Sequence, residues 1–271
     1  MLLKTSGLTK RFGGITAVDD VEFSLEAGEL CSIIGPNGAG KTTFFNLLTG
    51  VLEPTAGSVT FGAGDGPVDL TGAEPHETAL AGIHRSYQIT NLFPTLSVLE
   101  NVRVAAQAHH GNDAWKLWRN VREFDAHYEE AYGILERVGL ADDAETIAQN
   151  LSHGEKRSLE IAVALAGEPE LLLLDEPTAG VSSEGVDDVV DLIEDVSSDH
   201  SVMLIEHNME IVMGVSDRVA VLHRGSLIAD GRPEQVSGDP KVREAYLGGY
   251  GREEAGGEPG GTEPTDNGGT A

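Results

Sequence analysis

Residues 35–42 read GPNGAGKT, a match to G-x-x-x-x-G-K-[ST], set between the apolar run ELCSII and the helix-like run KTTFFNLLT. No other feature constrains the fold as tightly. A buried strand that delivers a glycine loop to a helix N-terminus implies a sheet covered by helices, an α/β architecture. Glycines let backbone N–H groups turn inward around phosphates, and the helix dipole adds positive potential at the same point. Gly35, Pro36, Asn37, Gly38, Ala39 and Gly40 are therefore expected to wrap the β- and γ-phosphates of a nucleotide. Lys41 supplies a point charge, the Thr42 hydroxyl a ligand for Mg2+, and Thr43 a contact to the α-phosphate.

ELLLLDEP supplies the second half of such a site. Leucines at 171–174 predict a strand buried on both faces, with Asp175 and Glu176 emerging at the carboxyl edge of the sheet beside the phosphate loop. Asp175 is expected to hold Mg2+ through water, and Glu176 to polarise an attacking water as general base. Loop and acids together imply hydrolysis of ATP or GTP.

The rest of the chain is organised around these two stretches. Residues 1 to about 34 alternate or run apolar and read as strands, and a β-like glycine-rich stretch, EPTAGSVTFGAGDG, follows the first helix. From about 90 to 160 the pattern turns helical: SVLENVRVAAQ opens with a Ser97-x-x-Glu100 capping box, and DAWKLWRNVREFDAHYEEAYGILERVG is a long helical pattern. Core character then resumes with ELLLLDE, a helix over EGVDDVVDLIEDV, the strand SVMLIEH and the hairpin RVAVLHRGSLIADG. A short helix, DPKVREAYL, closes the folded part, with Asp239 as cap and Pro240 at its first position. Residues 1–248 are thus expected to form one folded domain with a helical insertion, and 249–271, rich in glycine, proline and acid, a disordered tail.

Composition excludes some roles. With 18 Lys+Arg against 45 Asp+Glu the formal charge is -27, a surface that repels nucleic-acid backbones and carries a self-repulsion that molar salt would screen. A salt-rich cytoplasm fits that charge. The lone cysteine, Cys31, reads as a small buried hydrophobe in a reducing compartment. MLLKTSGLTKR lacks the apolar stretch of a signal peptide, and no run reaches the ~18 apolar residues of a membrane span, so work at a membrane requires docking on another protein. Adjacent His109 and His110 would point different ways on a helix and are not read as a metal site.

LSHGEKRSLEIAVAL, residues 151–165, poses a question of its own. It opens a helix with a hydroxyl and a glycine, a favourable place for an anion, yet no phosphate loop adjoins it in the chain. Read alone, Ser152-x-x-Glu155 is a capping box. In order, however, the phosphate loop, Gln88, LSHGE, the Asp-Glu strand and His207 make a series that resembles the ABC-type nucleotide-binding domains over residues 1 to about 248. The resemblance implies a P-loop NTPase fold with an antiparallel β subdomain and a helical insertion, binding ATP with Mg2+. It further implies a head-to-tail dimer in which Ser152 and the Gly154 backbone of one subunit meet the γ-phosphate held by the other. On the same footing Phe12 stacks on adenine, Gln88 senses Mg2+ and water, and His207 contacts the γ-phosphate and orients Glu176.

Three features depart from that family's pattern. His153 and Glu155 stand in a signature that usually reads LSGGQ, Ser182 occurs where the loop after the Asp-Glu strand usually carries an aspartate, and the tail has no counterpart. Glu155 is expected to turn away from the anion and cap its own helix.

GITAVDDVEFSLEAGEL, LFPTLSVLENV, DEPTAGVSSEG, LIEHNMEIVMGVSDRVAVL and KVREAYLGG are similar to the ATPase subunits of branched-chain amino acid importers. That likeness implies a peripheral subunit on the cytoplasmic membrane face, paired with a second ATPase subunit and with integral-membrane permeases, and fed indirectly by an extracellular solute-binding protein. Leu92 and Phe93 are the expected apolar contacts for a permease helix. Related urea or amide importers share the pattern, and a soluble, non-transport ATPase of the same type is the alternative from another class.

Overall fold

The computed structural model describes residues 1–62, 66–86, 92–109 and 121–250, the side chains of 121–125 and 247–250 excepted. Gln88, His110, the first part of the long helical pattern and the tail beyond 250 lie outside the described residues. Two sheets organise the fold. The smaller is antiparallel and joins β1 (Leu3–Phe12), β2 (Ile15–Leu25), β4 (Ala56–Phe61) and β5 (Val68–Asp69) in the order β2-β1-β4-β5. The larger runs β10-β9-β3-β8-β7-β6, built from β3 (Leu30–Ile34), β6 (Ile83–Ser86), β7 (Leu171–Asp175), β8 (Ser201–Ile205), β9 (Arg218–His223) and β10 (Ser226–Gly231). Its strands pair in parallel except for the β9–β10 hairpin.

Period-two alternation explains why the central strands are mostly apolar on both faces. Leu172 and Leu174 of β7, with Val202 and Leu204 of β8, face a core shared with helices α3 (Val98–His109), α4 (Val121–Arg137), α5 (His153–Leu165) and α6 (Ser183–Ser197). Leu171, Leu173, Met203 and Ile205 face the opposite way, onto Phe44, Phe45 and Leu48 of α1 (Lys41–Leu48) and onto the antiparallel sheet. With both faces covered, a polar residue has no solvated side to occupy. Cys31 sits fully buried in the second core, as expected of a small hydrophobe, and burial pushes its thiol up to about 12.

Some local expectations change. Ser97 Oγ accepts from the Glu100 amide, but the Glu100 carboxylate takes Arg103 and the Tyr128 hydroxyl instead of reaching back. A cation one turn on and an aromatic hydroxyl from α4 outcompete a single backbone N–H for that carboxylate. The closing helix, α9 (Pro240–Tyr250), does begin at Pro240, with Asp239 Oδ1 accepting from the Lys241 amide. It runs past Leu247 because glycines cost a helix about 1 kcal/mol each without forbidding it.

Candidate active site

The phosphate loop leaves the carboxyl end of β3 and enters α1. Glycine is required at both of its ends. Gly35 (φ 151°) and Gly40 (φ 104°) lie in the left-handed region, and a Cβ on them would meet Leu222 O at 2.1 Å and Ala17 O at 2.3 Å. The turn of the β9–β10 hairpin clamps the loop, since the Gly225 amide donates to Ala39 O and the Asp19 amide to Gly225 O, each at 2.9 Å. No side chain caps the first turn of α1 and no acid lies in it, so its amides face outward with the dipole uncompensated.

Lys41 is buried and its ammonium donates to Gly35 O at 2.7 Å. Burial holds its pKa below the ordinary lysine range, and the nearby charges of Glu176 and Asp175 oppose that shift. The structure thus brings together the lysine and both acids, which the sequence separates by 134 and 135 positions. Thr42 is exposed at the helix start and Thr43 half-buried.

The acids arrive by sheet register. Asp175, the last residue of β7, pairs with Ile205, and the Glu176 amide donates to Ile205 O at 2.8 Å. Glu176 takes a left-handed backbone (φ 50°), a conformation that costs a non-glycine residue energy and that tends to occur where function fixes a side chain. His207 follows β8, and its Nε2 lies 2.8 Å from Glu176 Oε1.

Two buried charges here escaped the motif reading. Glu206 accepts from the Thr178 amide and hydroxyl through Oε1 and from the His207 amide through Oε2, at 3.0, 2.6 and 3.0 Å. It ties the loop after β7 to the loop after β8. Arg85 of β6 donates to Asp175 Oδ2 at 2.5 Å and to Asn46 Oδ1 at 2.6 Å. The only sequence signal was their position, Glu206 beside His207 and Arg85 next to last in the short strand Ile83–Ser86.

Ser152 and Gly154 lie elsewhere. The Glu155 amide donates to Ser152 Oγ at 3.3 Å and the Ser152 amide to Glu155 Oε2 at 2.7 Å, a closed capping box that also draws the Glu155 carboxyl below its ordinary range. Glu155 therefore caps its own helix, as expected. This helix end opens on a groove of about 1140 Å3, lined among others by Ser152, Gly154, Val181, Ser182 and Asp188, with no phosphate-loop residue in its wall. The loop itself borders a separate cavity of about 500 Å3 with His223, Arg224 and Lys241. One chain does not bring these two helix ends together.

Phe12 ends β1 with its ring 46% exposed and Lys10 Nζ 5.3 Å from the ring centre, so it is not a core residue. Phe93 is also exposed, at 53%, while buried Asn101 holds its backbone through Oδ1 and Nδ2; Leu92 packs half-buried against the helical core.

Hard oxygens, the Thr42 hydroxyl and the Asp175 carboxylate, are the donors on offer to a metal. No group of three or more His, Cys, Asp or Glu side chains converges among the described residues. That set fits Mg2+, which keeps several waters and takes further oxygens from phosphates, and does not fit a cation needing a protein cage.

Residues 18–179 match the family model described as ABC transporter, and residues 226–251 match that described as branched-chain amino acid ATP-binding cassette transporter. The chain is 39% identical over 259 residues to the high-affinity branched-chain amino acid transport ATP-binding protein BraF of Pseudomonas aeruginosa, covering 91% of this chain and 98% of the relative. It is 39% identical over 253 residues to LivG of Escherichia coli, with the same coverage, and 35% identical over 254 residues to the probable LivG of Archaeoglobus fulgidus, covering 91% and 95%. Among solved structures, the ADP conformation of MJ1267, an ATP-binding cassette of an ABC transporter, superposes with a TM-score of 0.78 at 32% identity, covering 91% of this chain and 98% of that one.

Proposed function

The chain belongs to the ABC transporter family and is an ATPase of that family, and on that premise we propose that it powers an importer of branched-chain amino acids. Support for the substrate comes from the relatives' printed function and from the match over residues 226–251. No helix among the described residues is long and apolar enough to cross a membrane, which fits a peripheral subunit. Permease subunits are its membrane partners, with exposed Phe93 and neighbouring Leu92 as docking contacts on the cytoplasmic face.

The observation that carries the enzymatic reading is the convergence of Lys41, Asp175, Glu176 and His207 at one edge of the parallel sheet. Loop amides and Lys41 hold the β- and γ-phosphates, Thr43 reaches the α-phosphate, and the adenine stacks on Phe12. Glu176 accepts the proton of the attacking water, while His207 fixes the carboxylate that receives it. Mg2+, held by Thr42 and Asp175 and sensed by Gln88, neutralises phosphate charge when bound. A second ATPase subunit, a copy of this chain or a sister, contributes Ser152 and the Gly154 amide to the γ-phosphate. In one chain the phosphate loop and the Ser152 helix end border separate cavities, which supports that division of labour.

Uptake of labelled leucine by cells lacking the chain tests the substrate. Loss of uptake, restored by the gene, supports the proposal; unchanged leucine uptake with lost urea uptake contradicts it. Affinity capture separates transport from a soluble role: polytopic membrane proteins support the first, ribosomes or DNA the second. The charge of -27 supports a salt-rich working environment, tested by a melting temperature that rises from low to molar KCl.

A further inference from the structure

Arg85, on the edge strand of the larger sheet, is an unexpected residue to find with a buried side chain. It lies on β6, in register with Leu173 of β7, and its side chain is 4% exposed against 5% for Asp175. One arm of the guanidinium donates to Asp175 Oδ2 and the other to Asn46 Oδ1, at 2.5 and 2.6 Å. Its Cζ lies 5.6 Å from the centre of the Phe45 ring. Phe45 and Asn46 belong to α1, the helix that begins with Lys41 and Thr42. A single side chain therefore joins the helix bearing the phosphate-loop hydroxyl to the strand bearing the acid.

Stability alone does not account for this choice. Taking a charge pair out of water incurs a desolvation penalty that the mutual attraction rarely recovers in full, and apolar residues of similar volume serve a core at least as well. What a forked, planar cation does offer is direction. Holding Oδ2 fixes the plane of the Asp175 carboxylate, and with it the bearing of the second oxygen. Anchoring the other arm on Asn46 fixes that plane relative to α1. We propose that Arg85 is a positioning residue, which aims the Asp175 carboxylate at the divalent cation of the bound nucleotide. This rests on the reading of the site given above and assigns its metal affinity to a residue outside the motifs.

The test uses the full chain with ADP and Mn2+ as a spectroscopic stand-in for Mg2+. Mn2+ binding is followed by electron paramagnetic resonance, and ADP affinity is measured separately in EDTA. Losing a side chain that orients a metal ligand typically weakens metal binding by about 10-fold or more. Arg85→Met keeps the apolar stem over Phe45 and removes the fork, so Mn2+ binding should weaken about 10-fold, with metal-free ADP affinity within about twofold. Arg85→Lys, which keeps the charge but not both contacts, should fall between Met and wild type. Asn46→Ala, which frees the far arm, should shift the Mn2+ midpoint in the same direction by less. An unchanged Mn2+ midpoint in Arg85→Met overturns the proposal, as does an equal loss of metal-free ADP affinity, which would mark Arg85 as merely structural. Should Arg85→Met not fold, the Lys and Asn46→Ala variants decide, and unchanged midpoints in both overturn it. If the wild-type chain with ADP fails to bind Mn2+, the nucleotide-site reading falls and the role of Arg85 falls with it.

Discussion

His207 Nε2 lies 2.8 Å from Glu176 Oε1, although 31 residues separate them in the chain. The pairing is a product of sheet register. β7 and β8 are parallel neighbours, Asp175 is level with Ile205, and the Glu176 amide closes the last rung on Ile205 O. Past that edge β7 releases Glu176, and β8 releases Glu206 and then His207.

Glu176→Gln keeps the shape and a hydrogen bond to His207 while removing the proton acceptor. ATP binding should persist and turnover should fall by about 10²-fold or more. Phosphate release under saturating ATP checks this, and near-normal turnover would remove Glu176 from the role of base.

Lys41→Ala removes a buried ammonium that donates to Gly35 O at the start of the phosphate loop. Loss of one charge-assisted contact is expected to weaken ATP binding by about 10- to 100-fold and to abolish hydrolysis. Equilibrium binding of a fluorescent ATP analogue measures the first effect and steady-state turnover the second.

Glu206 satisfies three donors from two loops while buried. Glu206→Ala leaves the Thr178 and His207 amides unpaired and should cost about 1–3 kcal/mol of stability. Because His207 loses its tether, turnover should drop as well. Glu206→Gln retains an acceptor and should recover part of both, read by denaturant melts and by turnover.

The Cys31 thiol is neutral in the fold up to about 12, against 9.0 for an ordinary thiol. A raised native value means that its contribution to stability is complete below pH 9.0 and declines as pH rises from there towards about 12. The native chain should resist a thiol reagent at pH 8 and react once unfolded. Cys31→Ala should lose less stability than wild type between those two pH values, and equal losses would refute the assignment.

Patterned burial made much of the fold legible. The leucines of β7 could only be a strand covered on both faces, and the glycines at 35 and 40 could only be a loop whose backbone meets other backbone. Partners distant in sequence were not legible. Arg85 looks like an ordinary strand-end residue until β6 is placed beside β7, and Glu206 looks like the neighbour of a motif until Thr178 comes round to it. The Ser97 capping box closes on one side only for the same reason, since Arg103 and Tyr128 take the Glu100 carboxylate. Short-range patterns describe backbone needs well, whereas a long side chain chooses among partners that only tertiary structure supplies.

In the proposed head-to-tail pairing, the phosphate loop and the Ser152 helix end work together only across two molecules. Dilution tests it most directly, with ATP turnover per chain measured from micromolar to nanomolar protein at constant salt. Turnover per chain should collapse as dimers dissociate, and Ser152→Asp should abolish it even at high concentration. Turnover that stays constant across the dilution series, with Ser152→Asp fully active, would contradict it.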